Sequence, residues 1–142
     1  MTAQIPVPAG LLRRLGAMAY DTILVAALAA FTLIPIVAVN KGYIVGAPVQ
    51  TLLFLELYGF FTYFWLTRRQ TLGMLAWRLT IQTLNDQPLR LSQVTLRFVG
   101  ALLSFFCLGL GYLWVLFDKQ RRSWSDLLSS TRVVYRARTP ES

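Results

Sequence analysis

Five charged side chains occupy positions where an apolar chain has to account for them: Arg14, Asp21, Glu56, Arg97 and Asp126. Asp21 lies inside the stretch RRLGAMAYD, and Glu56 inside TLLFLELYGF. Carboxylates set in hydrocarbon either hold arginines, locking helices together, or accept protons and small cations. Much other chemistry is excluded by composition. The chain has no histidine, which removes His-ligated metals, Ser-His-Asp triads and histidine pH switches. Its single cysteine, Cys107, forms no intramolecular disulfide and is expected as a small packing residue. There is no Gly-rich phosphate loop and no cluster of metal ligands, so neither an enzyme nor a cofactor is expected.

On a helix, Arg14 and Asp21 share one face about 10 Å apart along the axis. Ala17, Met18 and Val25 continue that stripe. Asp21 is expected about two turns inside the apolar run, facing protein and needing a partner. Arg97 is one candidate, on a small, polar stripe with Gly100, Ala101 and Ser104 that would let the two helices approach closely. Arg14, with a bent side chain, is the other. Glu56, on a face with Gly59, Phe60 and Tyr63, is expected about as deep from the opposite side. Two such acids facing one interior would form a ladder suited to protons or monovalent cations. The plainer alternatives are an Asp21–arginine pair that only locks helices and a protonated Glu56 hydrogen-bonded to a neighbour. In Ser123-Trp124-Ser125-Asp126, Asp126 either caps a short helix or bridges to Arg13 or Arg14.

The elements that position these residues follow from hydropathy. The 142 residues make one domain, 56% hydrophobic and only 14% charged, against roughly a quarter charged in soluble domains. The 14 Lys+Arg outnumber the 6 Asp+Glu. They flank the apolar runs, which points to anionic lipid headgroups and topology rather than nucleic acid. Apolar segments lie at about residues 15–39, 51–67 and 96–117. The first is too long, and too acidic at Asp21, for a cleaved signal peptide; Pro35 is expected to kink or end it. The arginines near the N-terminus, between the second and third segments and in the tail at 118–142 all demand the cytoplasmic side. Three simple crossings would violate that demand.

Two further patterns settle the expectation. Residues 78–84, RLTIQTL, alternate like a strand before a turn-like Asn85-Asp86-Gln87-Pro88, and residues 131–136, TRVVYR, also favour a strand. Lone strands leave backbone groups unpaired, so these two should pair on one side of the membrane. We therefore expect the third segment to break at Gly109–Gly111, as a re-entrant hairpin, with a third span as the alternative. The fold class is an all-α membrane protein: two full transmembrane helices, a broken third segment and a small cytoplasmic β element. Residues 68–92 would hold a cytoplasmic interfacial helix, Leu72, Leu75 and Ala76 along one face, and a strand. Residues 2–9 are expected as a loose arm. Tyr43, Trp65, Trp77, Trp114 and Trp124 are expected as interface anchors.

These motifs resemble the RDD family of membrane proteins across nearly the whole chain. The match runs through RRLGAMAYD, TLGMLAWRLTIQ, LRFVGALLSFFCLGLGYLWVLFD and RRSWSDLLSSTRVVY. The resemblance carries the family arginine to Arg14 and its two aspartates to Asp21 and Asp126. In the family pattern His-Asp-x-x-x-Gly-Thr, Ser125 stands in place of the histidine and Ser130 in place of the glycine. The resemblance implies a role in transport, including sodium/proton antiport in some members. The expectation is thus a multi-pass protein of the bacterial inner membrane with a cytoplasmic N-terminus, exchanging a cation for protons. A homo-oligomer is expected, since one short chain is thin for a pathway. The alternative is a non-transporting scaffold or assembly factor that binds partner proteins or anionic lipid.

Overall fold

The computed structural model describes residues 6–41 and 46–136. Tyr43 and the end of the tail, with Arg138, lie outside the described residues. Two helices are long and apolar enough to cross a bilayer, α1 (Leu11–Val39) and α2 (Ala47–Arg68). A short helix α3 (Leu72–Ala76) and strand β2 (Leu79–Thr83) follow. Next come α4 (Leu91–Phe106) and α5 (Leu110–Phe117), then α6 (Trp124–Ser129) and β3 (Thr131–Tyr135). The expected helical fold, with two candidate spans, a bent third apolar pair and a small sheet, is what forms.

The third apolar segment breaks where the glycines stand. Leu108 and Gly109 both adopt positive φ, 59° and 81°, and α5 leaves α4 at a bend of 100°. Glycine takes this conformation without a Cβ penalty; Leu108 does not, and it is 92% exposed at the tip. Cys107 is exposed beside it rather than packed. α1 runs through Pro35 to Val39 instead of ending there, because the helix resumes its backbone bonding beyond the proline.

The two strands pair antiparallel as expected, with Ile81 opposite Val133 and Leu79 opposite Tyr135. The N-terminal arm, of which residues 2–5 lie outside the described residues, is corrected at its end. Val7–Pro8 forms a strand, β1, on the other side of β3, in the order β1-β3-β2. Ala9 is fully buried and its N–H donates to the Val133 carbonyl at 3.0 Å. Pro8 is tolerated because β1 is an edge strand.

The sheet, α3, α6 and the first turns of α4 form a cap around Leu79, Ile81, Val94, Phe98 and Val133. α1 enters this cap: its buried residues are Arg14, Ala17 and Asp21, none further along. At 29 residues α1 is about 43 Å long, more than the roughly 30 Å hydrocarbon core. The cap takes up the excess. Residues 22–39, about 27 Å, are left for hydrocarbon. Asp21 is therefore the last buried residue of α1, where the helix leaves the cap.

Candidate functional site

Asp126 is the centre of the buried charge. It is wholly inaccessible, and its carboxylate takes one guanidinium on each oxygen. Arg14 Nη1 donates to Oδ2 at 2.7 Å, and Arg97 Nη1 to Oδ1 at 2.6 Å. The same residue closes the capping box of α6: Oδ2 accepts from the Ser123 N–H at 3.2 Å, and Ser123 Oγ accepts from the Asp126 N–H at 3.4 Å. Capping and bridging, set out above as alternatives, are both made. Arg14 also reaches the Ala9 and Arg121 carbonyls, while Arg97 donates to Thr131 Oγ1. Three charges thus tie α1, α4, α6, β3 and the N-terminal strand into one body. Burial pushes the Asp126 carboxyl upward, but the two guanidiniums and their hydrogen bonds outweigh it. The group is held below the ordinary carboxylate range.

Asp21 meets neither of its expected partners. Its Oδ2 accepts from the Thr71 hydroxyl, and its Oδ1 from the Gly73 N–H at 2.8 Å. Thr71 is the N-cap of α3 and accepts from the Met74 N–H at 3.1 Å. The carboxylate therefore lies against the start of α3, where backbone donors point outward. Gly73 permits this approach. A Cβ there would strike the Ala17 carbonyl and sit 2.8 Å from the Asp21 carboxyl carbon. Both arginines that could have neutralised Asp21 are engaged by Asp126. Among the described residues no cation forms a salt bridge with Asp21.

The stripe of α4 expected to receive α1 receives the cap instead. Gly100 faces the Ser125 backbone, and Ser104 faces Gly111. Small residues admit close packing there, but of α6 and α5. Arg13 lies over the Tyr135 ring at 4.0 Å, taking no part in the triad. Trp65, expected as an interface anchor, is 6% exposed and packs under Arg97, whose Cζ is 5.3 Å from its ring. Trp77 and Trp114 are exposed.

Glu56 does not join Asp21. Its Oε1 accepts from Thr32 Oγ1 at 2.6 Å, and its Oε2 is buried with no partner among the described residues. Thr32 is eleven residues beyond Asp21 on α1, about 16 Å along the axis. A cleft of about 510 Å³ lies between α1 and the α2–α4 pair. Along α1 its lining runs from Arg14 through Asp21, midway, to Ala29, one turn short of Thr32. The intervening walls, Val25, Ala26, Leu57, Phe61 and Leu102, are apolar. Asp21 and Glu56 are therefore two separate stations rather than a ladder, Asp21 lining the cleft and Glu56 lying past its far end.

Thr32, Trp65, Thr71 and Gly73 were not legible as site residues. They are neutral, so no charge imbalance marks them. Only the need of Asp21 for donors pointed toward some polar partner. Among the described residues no group of metal-binding side chains assembles.

Two apolar helices, a bent helical pair and a small sheet define a helical membrane protein. Residues 8–130 match the RDD family, and the chain belongs to that family. No curated protein and no solved structure matches it.

Proposed function

We propose that the protein exchanges a monovalent cation for protons across the bacterial inner membrane, with its cap on the cytoplasmic side. Asp21 and Glu56 are the exchanging acids. The observation that carries this reading is the isolation of Asp21 from positive charge. It is 5% exposed, lines the cleft and is held by two neutral donors, while Arg14 and Arg97 are occupied by Asp126. A carboxylate so placed needs a proton or a cation to balance it. Glu56 offers a second acceptor past the far end of the cleft. The arginines do not tune these acids by contact; they fix the frame in which Asp21 is held. Two spans make a thin pathway, so the working unit is a homo-oligomer.

Proteoliposomes with an imposed proton gradient, challenged with sodium, lithium or potassium, test the proposal. An internal pH dye should report cation-dependent proton movement. Asp21→Asn should abolish it, since asparagine keeps the acceptor for the Gly73 N–H but cannot exchange a proton. Glu56→Gln should reduce it. No cation response from folded, oriented protein sinks the transport reading. That outcome favours a scaffold, which has its own supporting observation: the Arg14–Asp126–Arg97 triad is fully engaged in joining helices to the cap.

A further inference from the structure

The cleft has a polarity that ion exchange alone does not use. Along α1 its lining runs from Arg14, Asp21 and Thr22 at the cap end to Val25, Ala26 and Ala29 at the other. The opposite wall repeats the gradient, with Arg97 and Ser125 at the floor and Leu57, Leu102 and Phe105 above. Alanines at 17, 26, 29 and 101 hollow out the groove where larger side chains would fill it. Its volume, about 510 Å³, is within the roughly 300–1,000 Å³ of ligand pockets.

Two of the side chains that line the cleft also carry donors without acceptors among the described residues. Arg97 Nε and Trp65 Nε1 are both buried and unpartnered among the described residues, on side chains that line the cleft and are 5% and 6% exposed. Buried N–H groups are ordinarily satisfied. Here the missing partner has to be an acceptor. Arg14, Arg97 and Asp126 together carry one net positive charge, which an ionised Asp21 in the same lining would cancel; with Asp21 protonated, a negative acceptor suits the floor.

We infer that the cleft is a one-ended site for a single anionic phospholipid. Its phosphate takes the donors of Arg97 and Trp65, and an acyl chain lies between α1 and the α2–α4 pair. This assignment goes beyond ion exchange and does not depend on it. Where exchange occurs, the chain has to move aside for an ion to pass between Asp21 and Glu56.

Native mass spectrometry of the purified protein tests the assignment. Phosphatidylglycerol and phosphatidylcholine with the same acyl chains are offered in equal amounts. One phosphatidylglycerol per chain should survive activation that strips phosphatidylcholine, at least tenfold enriched. Glycerol phosphate, which has the head without the tail, should not displace it. Ala29→Phe and, separately, Ala26→Leu fill the groove away from the charges, and each should reduce the retained lipid several-fold. The wild-type comparison needs no variant to fold. Equal retention of both lipids overturns the assignment. So does displacement by glycerol phosphate, which would mark a bare anion site. A second protein chain retained in place of lipid also overturns it, since the groove would then be a dimer contact.

Discussion

At the scale of single residues, the Arg14–Asp126–Arg97 cluster obeys charge counting. Two guanidiniums share one carboxylate, all three nearly inaccessible. Removing the acid leaves two buried positive charges facing each other. Removing either arginine leaves a neutral pair. Asp126→Asn should therefore destabilise the cap by about 3–5 kcal/mol, and clearly more than Arg14→Gln. Thermal unfolding in nanodiscs, followed by tryptophan fluorescence, gives the ranking; equal losses would contradict it. The pH dependence has a definite sign. A carboxyl whose folded value is depressed contributes stability that is complete above the ordinary carboxylate range. That stability is lost as pH falls through the lower folded value. An acid titration of the wild type should show cap loosening only below the ordinary range, and Asp126→Asn should lack that step. The sequence made this cluster partly legible, because buried charges must balance and Asp126 could reach Arg14 once the tail returned to the N-terminal side. It did not reveal that Arg97 shares Asp126, nor that Asp21 is held by neutral donors fifty residues away.

At the scale of elements, close approach is what the glycines provide. α3 can seat its first turn on Asp21 only because Gly73 lacks a side chain. The neighbour that a Cβ would meet is the Ala17 backbone carbonyl, which cannot swing aside as a side-chain end would. Gly73→Ala should cost about 1–3 kcal/mol by overpacking and should detach Asp21 from its donors. Gly109→Ala, at positive φ with open space around it, should cost only about 1 kcal/mol. Comparing the two variants in one thermal unfolding series separates steric from backbone effects; the reverse order would refute the packing described for α3. The strands were legible because RLTIQTL alternates with a period of two and TRVVYR is rich in strand-favouring residues. The N-terminal strand was not, since two prolines within a few residues look like an irregular arm. Its place at the edge of β3, set by contacts far along the chain, makes the prolines harmless.

At the scale of the whole molecule, the bend between α4 and α5 decides the topology. The two helices, end to end and straight, would measure about 36 Å, enough to cross the hydrocarbon. Bent by 100°, their outer ends are only about 25 Å apart. Both ends are also anchored in one cap: Arg97 of α4 and the chain following α5 meet at Asp126. A segment so bent and anchored is expected to enter and leave on the same side, with Leu108, 92% exposed, at its tip. Single cysteines placed in a Cys107→Ser background read this out. Gln87→Cys before α4 and Arg121→Cys after α5, both exposed, should react with a membrane-impermeant maleimide from one face. Lys41→Cys, beyond the far end of α1, should react only from the other. The native Cys107, next to the tip, should stay unlabelled in intact membranes and react after detergent extraction. Labelling of Arg121→Cys from the face that reaches Lys41→Cys would make the third segment a full crossing. The strand pairing would then break, because β2 and β3 cannot hydrogen-bond through a bilayer.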